Sequence, residues 1–276
     1  SQHTLWPPER DWMRKIPLSP LLFACLLPAA IPAATAAERP DCSRPLTLAL
    51  HEHGLLYNAG SGTGIDKDFA DELIRRSGCK VGVSLMPRSR IWKLIEAGAL
   101  DFSLSGIGNA ERDKFASFAW YFADKYSLLV RKDAQVKQVE AFESTRELKL
   151  GAIRSFRYSD TANRLVDGLD QKERVIYASN YETLYKNLAL GRIHGIVVEP
   201  FDDPSLGQYK VRELVEIIDI HDIAIPHGLI MSRKTISTTE EAKWRALVDG
   251  MRNDGSVQRI FEKYFKPELA RSMVNF

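Results

Sequence analysis

Cysteine is scarce in this chain: Cys25, Cys42 and Cys79 are the only three in 276 residues. That excludes a disulfide-dense miniature scaffold and a C-x-x-C zinc or redox pair, so stability must come from a buried core. Charge of one sign is missing too. Thirty-eight Lys and Arg against 36 Asp and Glu leave a formal net charge of +2, which argues against nucleic acid or an anionic membrane surface as partner. No Walker loop and no Ser nucleophile elbow are present, so the chain carries no recognised catalytic motif. The longest uncharged stretch, Ile16–Ala37, holds Pro17, Pro20, Pro28 and Pro32, and each proline removes a helix donor from any membrane-spanning reading.

What is present begins with that same stretch. Met13, Arg14 and Lys15 form a basic start, an apolar run follows, and Ala33-Ala34-Thr35-Ala36-Ala37 offers a small-residue cleavage site. This is the pattern of a secretory signal peptide over residues 13–37, with 1–12 a non-native or mis-annotated extension. The mature protein is then periplasmic. Leu22-Phe23-Ala24-Cys25 loosely resembles a lipoprotein box, which makes lipid anchoring through Cys25 the alternative. Phe23 fits that box poorly, and the apolar run continues past the cysteine. Cleavage leaves Cys42 and Cys79, an even pair that suggests a disulfide in an exported chain. Two buried free thiols are the other reading.

Beyond the leader, strand-like and helix-like segments alternate, as in a mainly parallel sheet with crossover helices. Strands are expected at Leu46–Leu50, Lys80–Met86, Asp101–Leu104 and Tyr126–Arg131, with helices at Ile65–Ser77 and Ser89–Ala97. A charged connector (132–137) precedes a second series. Its strands are Leu148–Ile153, Val175–Tyr177, Ile193–Glu199 and Leu214–Ile220, and its helices are Tyr158–Val166 and Tyr181–Leu190. Ala224–Ser232, with Pro226 and Gly228, reads as a crossing or edge strand. A capping box at Thr238-x-x-Glu241 opens an all-helical end, and Pro267 is expected to stop its second helix.

The order of local motifs resembles the family-3 extracellular solute-binding proteins, the polar amino-acid receptors of ABC importers. Gly64-Ile65-Asp66-x-Asp68 and Ile95-x-x-Gly98-x-x-Asp101 are similar to its first-lobe motifs, and Glu111-Arg112-x-Lys114 with Phe118 to its ligand segment. Gly191-Arg192-Ile193 through Glu199-Pro200 resembles its second-lobe strand, and Asp254-Gly255-Ser256 to Tyr264-Phe265 its ending. The resemblance implies an α/β, two-lobed periplasmic-binding-protein-like (Venus flytrap) fold with two crossing hinge strands. Residues 43–128 plus 227–276 would form lobe 1, and 132–223 an inserted lobe 2. It also implies a monomer, a small-molecule ligand in the interlobe cleft, a membrane permease of an ABC importer as partner, and no cofactor.

By the same resemblance, Arg112 would hold a ligand carboxylate through parallel hydrogen bonds. Glu199 stands where the family usually has the aspartate that takes a ligand ammonium. Gly106 and Gly108 occupy the place of a hydroxyl-bearing loop and offer backbone N–H groups instead. Tyr57 is expected to act as an aromatic lid, Arg88 or Arg90 to meet a further acidic group, and Ser155 and Arg157 to meet ligand at a helix start. In His51-Glu52-His53 both imidazoles share a strand face, but a metal would need a third ligand such as His227 and no spacing motif supports one. Glu52 is the better candidate for ligand contact, and no metal site is expected. Two other classes remain open: a dehydratase-like enzyme on the same fold, and a solute-sensing subunit for a membrane receptor.

Overall fold

The computed structural model describes residues 38–154 and 156–276. The extension at 1–12, the leader at 13–37 with Cys25, and Ser155 lie outside the described residues. Among the described residues, ten strands form two five-stranded sheets. The first has the order β2-β1-β3-β10-β4, built from β1 (Leu46–Leu50), β2 (Val81–Leu85), β3 (Phe102–Gly106), β4 (Ala116–Asp124) and β10 (Ile225–Ser232). The second has the order β7-β6-β8-β5-β9, built from β5 (Ser127–Arg131), β6 (Leu150–Ile153), β7 (Val175–Ala178), β8 (Gly195–Val198) and β9 (Val215–Asp219). Three strands of each sheet are parallel, and the other pairings are antiparallel.

Each sheet is covered by the helices between its strands. Helix α1 (Ile65–Ser77) buries Phe69, Ala70 and Leu73 and closes on Gly78 in the left-handed region (φ 71°), which only glycine adopts freely. Helix α2 (Arg88–Ala97) buries Ile91 and Ile95. In the second lobe α3 (Val139–Ser144) buries Val139 and Phe142, and Ser159 and Asn180 cap α4 (Asp160–Asp170) and α5 (Tyr181–Ala189). Helix α6 (Asp203–Gln208) lies beyond β8, and α7 (Thr238–Asn253), α8 (Ser256–Glu262) and α9 (Pro267–Val274) complete the first lobe. Cys42 and Cys79 form a disulfide that ties the segment before β1 to the segment before β2.

Four sequence expectations shift. The segment Ala116–Asp124, given no element by the sequence and noted only for Phe118, is a nine-residue strand buried along almost its whole length. Its apolar run Phe118–Ala123 carries no period-two signal, because both of its faces are covered. Ala224–Ser232 is no edge strand: β10 lies between β3 and β4. Pro226 is tolerated because β10 pairs there only with Ala123 of β4, its ladder to β3 starting at Gly228. The cap of α7 is Ser237, whose hydroxyl accepts from Glu240 N–H (3.3 Å). Pro267 opens α9 at its first turn, where its missing donor costs nothing.

The chain leaves the first sheet after Asp124 and joins the second at Ser127; it returns between Asp219 and Ile225. Tyr126–Arg131, expected to cross, therefore lies within or at the start of a second-sheet strand. A third link joins the lobes. The turn Pro200–Asp202, which follows β8 of the second sheet, sends Phe201 into the first lobe's core. Its ring sits among Phe122, Phe261 and Phe265 at centroid distances of 5.3, 6.3 and 5.5 Å. Leu55 N–H donates to the Phe201 carbonyl (2.9 Å), and a Cβ at Gly54 would overlap that carbonyl.

Candidate functional site

Between the lobes lies a cleft of about 770 Å³, within the usual range for small-molecule sites. The first lobe contributes the segment after β1 (His51, Glu52, His53), the start of α2 (Arg88, Trp92) and Arg112. Facing them are Phe156 and Arg157 before α4, Tyr181 at the start of α5, and Glu199 after β8. Strand carboxyl ends and helix starts converge there, where α/β sheets place ligands.

Arg112 follows an Asn109 turn, whose side-chain oxygen accepts from the N–H groups of Glu111 (3.1 Å) and Arg112 (2.9 Å). Its guanidinium lies 3.9 Å from the centre of the Trp92 ring and donates once, to Ile107 O (2.9 Å). No carboxylate pairs with it among the described residues. Burial and the nearby cations Arg88 and Arg157 lower Arg112 to about 10, so it is still charged at neutral pH. An arginine held over the face of an aromatic ring, with most of its donors unspent, is set to receive an anion.

Arg88 is spent differently. It donates to Leu104 O (2.9 Å), Ser105 O (2.8 Å) and Ser103 Oγ (3.3 Å), fixing the end of β3. That end is bent: Ser105 has φ 52°, its N–H donates to Tyr121 Oη (2.8 Å), and its hydroxyl donates to buried Asp66 Oδ1 (2.6 Å). The Gly64-Ile65-Asp66 motif thus anchors this turn. Burial raises Asp66 to about 6.

A buried polar cluster forms the cleft floor. His53 Nε2 donates to Asp202 Oδ1 (3.1 Å) and lies 3.5 Å from Glu199 Oε1, while Tyr181 stacks on its ring at 5.2 Å. Burial opposes charge on His53, but Asp202 and Glu199 outweigh it and raise its pKa. His227 lies on Phe122 at 4.5 Å, its Nδ1 donating to Ile225 O (3.1 Å) and its Nε2 3.8 Å from Glu199 Oε2. Burial lowers His227 to about 3 and raises Glu199 to about 8. His51 is pushed well below the ordinary histidine range by burial, with Arg88 and His53 adding to it. His51 and His53 stand edge to face at 5.6 Å, and no group able to hold a metal occurs among the described residues.

The sequence-derived candidates divide. Arg112, Glu199, Glu52, Arg88 and Arg157 line the cleft, although Arg157 is exposed and paired with Asp167 (3.0 Å), and Glu52 sits on the rim. Tyr57, Gly106 and Gly108 are not in the lining. Tyr57 is half-buried against the first lobe's core. Gly106 is a packing glycine, since a Cβ there would overlap the Ile230 side chain, and a Cβ on Gly108 would press on Trp120 (3.3 Å). Sequence reading missed Trp92, Tyr181 and Asp202. Only the spacing of Trp92 from Arg88, one helical turn, could have flagged any of them.

Several solved structures share this architecture. An ancestral arginine-binding protein bound to arginine matches with a TM-score of 0.66 and 20% identity, over 80% of this chain and 98% of that one. A substrate-binding protein of an ABC uptake transporter from Streptococcus pneumoniae with bound histidine matches at 0.66 and 17%, over 80% and 92%. A histidine kinase sensor domain with similarity to periplasmic binding proteins matches at 0.63 and 15%, over 81% and 96%. At these identities the likeness shows the fold. No curated protein matches the chain in sequence. The profile of the bacterial extracellular solute-binding proteins, family 3, matches residues 53–267. With that match across most of its length, on a fold of two sheets around a lined cleft, the chain belongs to family 3 of the bacterial extracellular solute-binding proteins.

Proposed function

We propose that the protein captures a small, carboxylate-bearing polar solute of amino-acid size outside the cytoplasmic membrane and delivers it to the permease of an ABC-type importer. The observation that carries this reading is Arg112: a cleft-lining guanidinium on Trp92, without an acidic partner among the described residues. A solute carboxylate accepts two parallel hydrogen bonds from it, and the Trp92 ring supports the guanidinium from below at 3.9 Å. The second lobe closes over the solute with Tyr181, Phe156 and Arg157, a hinge motion about the two crossovers. Catalysis is not part of this reading.

Trp92 supplies the assay. Titrating the mature protein with a panel of carboxylates should give a saturable change in tryptophan fluorescence, lost in Arg112→Ala. A matching loss of solute uptake in cells lacking the protein identifies the importer component. Binding with normal uptake identifies a sensor, and conversion of the bound solute identifies an enzyme.

A further inference from the structure

The cleft floor holds two buried acids, Glu199 and Asp202, and the geometry leaves neither open to a ligand cation; the other lining carboxylates, Glu52 and Glu182, are exposed. Asp202 is committed to His53 (3.1 Å) and to the Glu199 N–H (2.9 Å). Glu199 Oε1 lies 3.5 Å from the same His53 nitrogen. Its Oε2 is buried without a hydrogen-bond partner and faces His227 Nε2, equally unpartnered, at 3.8 Å.

The tautomer of His227 decides what that pair means. A carbonyl only accepts, so Nδ1 must carry the hydrogen donated to Ile225 O, which leaves Nε2 of the neutral ring a bare acceptor. Two buried acceptors facing each other without a shared proton repel, and each is left without the hydrogen bond it had in water. The arrangement is relieved by a proton on Glu199 Oε2 directed at Nε2. Burial and the nearby acids Asp124 and Asp202 favour the same neutral form.

The local field agrees. Arg88, bound to backbone carbonyls rather than to a carboxylate, bears electrostatically on His51, His53, Glu199 and His227. Arg112 adds a second positive charge nearby. A ligand ammonium entering the floor would meet the Arg88 field and a neutral Glu199, with Asp202 already paired to His53. A hydroxyl or carbonyl could instead exchange hydrogen bonds with His51, Glu199 and His227, each of which lines the cleft and carries an unpartnered buried polar atom.

We propose that this cleft selects carboxylic acids whose α substituent is uncharged, a hydroxyl or an oxo group, over the matching α-amino acids. The inference rests on the receptor reading above. It reverses the sequence-based expectation that Glu199 takes an ammonium.

The test is calorimetric titration of the disulfide-intact protein at pH 7 with trios that differ only at the α position. Suitable sets are L-glutamate, L-2-hydroxyglutarate and 2-oxoglutarate; L-leucine and its hydroxy and oxo acids; and L-phenylalanine, phenyllactate and phenylpyruvate. In any trio that binds, the hydroxy or oxo acid should bind at least tenfold more tightly than the amino acid. An amino acid that binds as tightly or more tightly overturns the inference and leaves the receptor reading standing. Absence of binding by every member at millimolar concentration overturns the receptor reading and the inference with it.

Discussion

Phe201 is the most demanding place to test how the lobes are joined. It belongs to the chain of the second lobe, yet it is fully buried in the first lobe's core, against Phe122 at 5.3 Å and Phe265 at 5.5 Å. Phe201→Ala should therefore lose both apolar burial and the space those rings cannot refill, about 3–5 kcal/mol of stability. For a chain of this length that is a fall in Tm of roughly 6–20 °C. The backbone bond from Leu55 N–H to the Phe201 carbonyl survives the substitution, so the loss reports the side chain. Differential scanning calorimetry on the disulfide-intact protein reads it directly. Ile223→Ala, on the exposed return crossover, serves as control and should stay within about 0.5 kcal/mol. A double-mutant cycle with Phe122→Ala should show a coupling of about 0.5–1.5 kcal/mol. A Phe201→Ala loss below 1 kcal/mol, or no coupling to Phe122, would refute the idea that this ring ties the lobes.

Glu199→Gln should flatten the alkaline side of the stability profile. A raised carboxyl holds its proton in the folded state, so stability is full below about pH 4.5 and falls as pH climbs toward about 8; Gln, which cannot ionise, should match the parent near pH 4 and exceed it by a margin in Tm that grows up to about pH 8 and then levels off. An unchanged slope would show that Glu199 is not the group responsible. Paired Cys42→Ser and Cys79→Ser should cost about 4 kcal/mol by chain entropy for a 37-residue separation, read by urea denaturation, with ligand affinity preserved. Gly106→Ala should cost about 1–3 kcal/mol because its new methyl meets Ile230, without changing ligand affinity.

The sheet-forming alternation was legible because local signals agreed: α1 and α2 carry apolar faces and glycine stops, and β1 stands where its apolar run predicts. Strand β4 was not, since a strand covered on both faces loses its alternation. The placing of β10 inside the sheet, between β3 and β4, depends on a ladder with Gly228 that no local pattern encodes. Within the site, Arg112 stood out through its motif. Phe201 and Asp202 did not, because their roles arise only when the turn after β8 meets the first lobe. Gly106 misled in the opposite direction: a glycine freed for a ligand and one forced by a neighbouring isoleucine look the same in sequence.

The central claim is that Arg112 receives the solute's carboxylate. The direct test is a calorimetric cycle in which a bound carboxylic acid and its methyl ester are each titrated into the parent protein and into Arg112→Ala. A buried charge pair predicts that either change alone costs at least thirtyfold in affinity, that the two together cost little more than one, and that the coupling is about 2 kcal/mol or greater. Losses that simply add, or an Arg112→Ala protein that binds the acid as tightly as the parent, would contradict the account.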